Sequence, residues 1–160
     1  MGYTHYFKTE GIQEFSEEVL TDVRRITKEY QNIIQREYDE PGEPIIDKDI
    51  IIFNGIDDDG HETFVVESNS RGFCKTARKP YDLPVCEVLL VLLHHYKGKF
   101  DLSSDGFWVS KEEFRRKGLD GNWGYALKNV EKKFDYKFNL MPEISNSNGH
   151  TYYSFNITAA

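Results

Sequence analysis

The chain has little cysteine. Cys74 and Cys86 are its only two, and they lack any metal-type spacing. Two such thiols suit a reduced, cytosolic protein and exclude a disulfide scaffold. Long apolar runs are also missing. The longest, Val88 to Leu93, falls far short of the about 20 residues that span a bilayer. The opening M-G-Y-T-H-Y-F-K has no cationic leader and no apolar signal region, and position 6 is not the Ser or Thr of a myristoylation start. The expectation is a cytoplasmic protein with no membrane contact. Excess positive charge is absent: the net charge is -7 with 20 Lys and Arg, which speaks against DNA as a partner. There is no Walker glycine loop, zinc signature, H-x-T pair or H-D motif, so no cofactor and no metal is expected. Repeats, low-complexity segments and a clear linker are missing too, although Gly106 is the best seam.

What is there suits a single domain over residues 1–160 with a real core, since aromatics make up 14% of the chain. Residues 3–8 alternate as a strand, with Tyr3, His5 and Phe7 on one side and Thr4, Tyr6 and Lys8 on the other. Residues 12–38 carry apolar positions at helical spacing from Phe15 to Ile34 and predict one long amphipathic helix, stopped by Pro41-Gly42. Residues 49–54 and 62–67 predict a hairpin around an acidic loop. The run I-I-I-F predicts a strand covered on both faces. Residues 82–97 predict a buried helix, capped by Asp82 and closed by Gly98. A short strand from Lys99, a helix capped by Ser110, a helix over 123–134 and a hairpin of 136–141 with 151–157 complete the chain. The fold class is α+β: a mainly antiparallel sheet packed against two major helices, with a C-terminal helix and β-hairpin.

The stretch Arg71 to Asp82, R-G-F-C-K-T-A-R-K-P-Y-D, places Arg71, Lys75, Arg78 and Lys79 just before the buried helix. Unpaired N–H groups and the positive dipole end sit at such a start, so cations there predict a phosphate or carboxylate site. If the strand continued to Lys79, Lys75, Ala77 and Lys79 would share one side, opposite Thr76 and Arg78. Lys75, Arg78, Lys79 and Arg71 would hold phosphates, with Thr76 a neutral donor. Tyr3, His5, Tyr6 or Tyr81 would stack on a base. His61 joins this ligand set, and His5, His61 or Glu62 would be the acid or base if the ligand were cleaved. Asp57, Asp58, Asp59, His61 and Glu62 lack calcium-loop spacing and read as a solvated turn. His94 and His95 point about 100° apart on a helix and are poorly placed to chelate one ion.

M-G-Y-T-H-Y-F, F-N-G with G-H-E-T-F, F-C-K-T-A-R-K-P-Y-D and S-S-D-G together resemble a family of small, mostly uncharacterised phage and bacterial proteins. The likeness covers residues 1–106. Residues 107–160, a C-terminal helix and hairpin extension, lie outside it. The resemblance brings no established activity. It implies a phage source, hence the host cytoplasm, and the setting of anti-defence proteins that act on nucleotide immune signals. On these grounds the expected function is binding and sequestration of a small phosphorylated ligand, a cyclic nucleotide or ADP-ribose derivative. The absence of a complete catalytic set favours binding over turnover. A phosphodiesterase or hydrolase acting on the same signal, or a protein-interaction module that inhibits a host protein, are the alternatives. A homo-oligomer, with a pocket shared between subunits, is compatible with the sequence.

Overall fold

The computed structural model describes residues 2–160. In chain order the elements are β1 (Thr4–Lys8), α1 (Glu17–Glu29), β2 (Ile34–Gln35), β3 (Ile45–Ile46), β4 (Ile50–Gly55), β5 (Phe64–Glu67), β6 (Arg71–Lys75), α2 (Asp82–His95), β7 (Asp101–Ser104), α3 (Lys111–Lys117), α4 (Trp123–Phe134), β8 (Phe138–Ser147) and β9 (His150–Ala159). The fold is α+β, and its strands form three antiparallel sheets rather than one. One has the order β6-β1-β7, one is β2-β4-β3 with β5 on β4, and one is the β8-β9 hairpin.

Helix α2 is the axis of the core. Val85, Val88, Leu89, Leu90, Val91 and Leu92 are all fully buried, so no face of it is polar enough to meet water. Strands from both halves of the chain pack into the same cluster as α2, including Phe7, Phe53, Phe155 and Ile157. Glu87 is also fully buried on this helix. Lys133 reaches it at 2.5 Å, Asn129 at 3.2 Å, and Tyr30 donates its hydroxyl to it. A buried charge needs such partners, and here they tie α1, α2 and α4 together. Among the described residues no helix is long and apolar enough to cross a membrane.

Several elements differ from expectation for local reasons. The long helix over 12–38 is only α1. Ser16 caps it by accepting the Val19 N–H, and Tyr30 closes it onto Ile26. Ile34 and Gln35 instead pair with Gly55 and Asn54, where the β-branched side chain packs in a strand. In β4, Ile51 and Phe53 are fully buried and Ile50 and Ile52 only half so: one face is core and the other partly covered. Strand β6 stops at Lys75, because Ala77 and Arg78 take positive φ values of 52° and 56° and turn the chain into α2. The long C-terminal loop is a two-residue turn, Asn148-Gly149, with φ of 51° and 77°. Asn-Gly adopts this type of turn readily, so both strands run ten residues. Ser110 caps α3 as expected, and Gly118 ends it at φ 78°.

Candidate functional site

The inner face of the β6-β1-β7 sheet holds a buried polar knot. His5 on β1 lies between Ser104 on β7 and Asp82 at the start of α2, with Nδ1 2.7 Å from the Ser104 hydroxyl and Nε2 2.6 Å from Asp82 Oδ1. Thr76 donates to Asp82 Oδ1 at 2.5 Å, and Asn122 donates to Oδ2 at 2.9 Å. Ser104 Oγ already accepts from the Gly106 N–H and from Trp123 Nε1, each at 3.0 Å. Its two lone pairs are thereby used, so its proton goes to His5 Nδ1. His5 Nε2–H then donates to the Asp82 carboxylate. Burial pushes the Asp82 carboxyl up, but the hydrogen bonds from His5, Thr76 and Asn122 outweigh this and hold it below its ordinary value.

This arrangement corrects the expectation for the helix start. Asp82 is not the N-cap, which is Tyr81, but the first residue of α2. The protein's own carboxylate occupies the positive end of the dipole, where an external anion was expected. Ser104, His5 and Asp82 line up as a hydroxyl, an imidazole and a carboxylate, yet they are 1%, 0% and 0% exposed, out of reach of a substrate. The donor atoms of His5, Asp82 and Cys86 lie within 4.8 Å of one another and are the one such group among the described residues. His5 and Asp82 are hydrogen-bonded to each other, however, and burial followed by the Asp82 charge pushes the Cys86 thiol well up, away from the thiolate a metal takes. The residues fit a hydrogen-bonded core better than an ion.

The expected ligand residues do not meet at one place. Tyr3, His5, Thr76 and Tyr81 are each 0% exposed and meet protein on every side. Tyr3 donates to the Asp120 carbonyl, and Gly121, at φ +72°, passes so close that an added Cβ would lie 2.1 Å from the Tyr3 hydroxyl. Tyr81 donates to the Glu62 carbonyl at 2.6 Å. These four are therefore corrected from ligand contacts to core residues. Arg78 lies over the Tyr3 ring at 4.3 Å and pairs with Asp120 at 2.6 Å. Lys79 donates to the Asp58 carbonyl at 3.0 Å. Both cations clamp neighbouring loops. His61 is exposed beside the Asp57–Asp59 turn, and its neighbour Glu62 bonds to the Lys75 backbone and accepts from Tyr81. His95 pairs with Asp22 at 2.7 Å, and His94 stacks on Tyr136 at 3.6 Å between centroids.

Tyr6, Arg71 and Lys75, by contrast, share the outer face of the same sheet, Tyr6 and Arg71 lining a groove and Lys75 lying beyond it. The register places Tyr6 opposite Phe73 on one side and Ser103 on the other, with Lys8 opposite Arg71 and Asp101. Tyr6 is 46% and Phe73 55% exposed, unusual for two adjacent aromatics. A groove of about 510 Å³ lies over this row, lined among others by Tyr6, Lys8, Arg71, Phe73, Asp101 and Ser103. Glu10 pairs with Arg71 at 2.6 Å and more loosely with Lys8 at 3.7 Å. Lys75 lies two residues beyond Phe73 on the same strand face and has no ion-pair partner among the described residues. Cations thus bracket the aromatic pair from both ends, roughly 13 Å apart at ~3.3 Å per residue.

Phe73, Lys8 and Ser103 were absent from the expected set. Alternation along β6 carried the signal, because residues 71, 73 and 75 share a face. Comparison with family models, curated proteins and solved structures found no match for this chain.

Proposed function

We propose that the protein binds and sequesters a small phosphorylated, nucleotide-like ligand on the outer face of the β6-β1-β7 sheet. The observation that carries this reading is the in-register pair Tyr6 and Phe73, exposed over a groove and bracketed by Lys75 at one end and Arg71 with Lys8 at the other. Planar rings stack on such aromatics at about 1–3 kcal/mol per base, with little demand on base identity. A guanidinium and an ammonium suit phosphate oxygens, and Arg71 can exchange Glu10 for a phosphate because the pair is at the surface. Charges at both ends of the aromatic pair favour a ligand with two phosphates, such as a cyclic dinucleotide or an ADP-ribose derivative. The resemblance of residues 1–106 supports the role of a phage anti-defence protein that withdraws an immune signal from the host cytoplasm.

The test is binding and product analysis on one sample. Protein is mixed with cyclic dinucleotides and ADP-ribose derivatives, bound ligand is separated, and the protein is heat-denatured. Intact ligand released from the wild type, much less from Phe73→Ala, and a smaller reduction from Lys75→Ala, is the expected result. A cleaved product would replace sequestration with hydrolysis. No binding to any compound would overturn the nucleotide reading and leave inhibition of a host protein as the remaining account.

A further inference from the structure

The β8-β9 hairpin projects from the body as a two-stranded arm. Residues 141–152 are all exposed, including Met141 at 52%, Ile144 at 60% and Tyr152 at 43%. Its base is held: Phe155 stacks on Phe114 at 4.1 Å between centroids, and Lys111 lies over the Tyr153 ring at 5.5 Å. Further out, Trp108 lies edge-on to Tyr152 at 6.4 Å between centroids, and among the described residues the arm pairs with no other sheet. Isolated two-stranded ribbons are marginal in water, and an open edge is a template for another strand.

The two edges of the arm are not equivalent. The two-residue turn makes Ser147 and His150 a hydrogen-bonded pair, and bonded pairs then alternate down the ladder. Pro142, opposite Phe155, falls at a non-bonded pair, so its missing N–H is one that would point outward from β8. Glu143 follows it. That edge is blocked by a proline and carries a charge, two devices that prevent pairing. On β9 the outward groups belong to Thr151, Tyr153 and Phe155. No proline or charged residue interrupts β9, H-T-Y-Y-S-F-N-I-T-A. Among the described residues β9 pairs with β8 alone.

Charge identifies the occupant. Residues 144–160 contain no Asp, Glu, Lys or Arg, in a chain that is 29% charged and carries a net -7. An acidic or basic partner would find nothing to pair with there. Two copies of an acidic chain repel each other across most of their surfaces, and this arm is where that repulsion is least. An antiparallel strand is also its own complement about a two-fold axis, so one contact closes the assembly.

We propose that β9 pairs antiparallel with β9 of a second copy of this chain, joining the two arms into a four-stranded sheet. The contact is centred on the outward groups of Thr151 and Tyr153, and it is independent of the ligand face on the β6-β1-β7 sheet.

The experiment is mass measurement by sedimentation equilibrium from micromolar to hundreds of micromolar protein, with the full chain. The wild type should sediment at twice the chain mass. Thr151→Pro removes an outward N–H without breaking a backbone bond to β8, although the Thr151 hydroxyl bond to Asn146 Oδ1 at 2.8 Å is lost, and Thr151→Lys sets like charges against each other near the two-fold axis. Both should give the monomer, with far-ultraviolet circular dichroism unchanged. Asn139→Lys, at the base of β8 and away from the β9 edge, serves as a control that should leave the dimer intact. A monomeric wild type across the whole range overturns the proposal. So does a dimer that survives both Thr151 substitutions, or an assembly that keeps growing with concentration.

Discussion

The two faces of the β6-β1-β7 sheet are built from alternate residues of the same strands, and they do opposite things. Tyr3, His5 and Phe7 point inward, and Tyr6 and Lys8 outward, so a step of one residue exchanges a fully buried imidazole for a half-exposed phenol. On the inner face polar groups bond to one another, and the knot joins β1, β7, α2 and the start of α4. On the outer face aromatic and cationic side chains stand over a groove. The histidine, threonine and tyrosines that look most chemical in the sequence are structural, whereas the less conspicuous Phe73 lies at the candidate site. Polar chemistry inside a core is a stability device unless a path leads to it.

The comparison breaks first at Asp82. Asp82→Ala leaves His5, Thr76 and Asn122 without their shared acceptor, and should cost about 3–5 kcal/mol in urea unfolding. A cost below about 1 kcal/mol would mean that the knot contributes little beyond ordinary packing. The same carboxylate predicts a pH dependence. Its folded pKa lies below the ordinary 3.8, so its contribution is complete above that value and is lost as the pH falls through the folded pKa. Stability should therefore decline on acidification below pH 3.8, and the decline should be shallower in Asp82→Asn.

On the outer face the pattern reverses. Phe73→Ala should leave stability within about 0.5 kcal/mol of the wild type, as at other exposed sites. It should weaken ligand binding by about 1–3 kcal/mol in calorimetry, the loss of one stacking partner. The smallest effect belongs to Lys75→Ala. It should reduce affinity by less than about tenfold, and the loss should vanish at high salt, because an exposed ammonium acts through a screened field. If Lys75→Ala weakened binding more than Phe73→Ala, the ligand would be held by charge rather than by its ring.

Much of the fold is legible in the sequence where periodicity and caps agree. Strand β1, the largely apolar α2, the Ser110-capped α3 and the α4 face are of this kind. The long helix over 12–38 fails because periodicity alone does not register that Ser16 starts a helix or that Ile34 has a strand to pair with in β4. The cationic stretch fails differently. Its turn at Ala77 and Arg78 depends on Thr76 and Asp82 meeting in the core, a contact invisible without tertiary structure. Of the ten expected ligand residues, Tyr6, Arg71 and Lys75 reach the outer face, since alternation decides their direction. His5 is buried on the inner face of β1, and Tyr3, Thr76 and Tyr81, which lie outside the strands, are buried through bonds to the Asp120 carbonyl, Asp82 and the Glu62 carbonyl.

The most direct test of the two-faced sheet is an amide NMR titration of the wild type with cyclic di-AMP. The account predicts shift changes concentrated at Tyr6, Lys8, Arg71, Phe73, Lys75 and Ser103, with His5, Thr76, Asp82 and Cys86 moving far less. Changes centred on His5 and the start of α2, with the outer face silent, would contradict it.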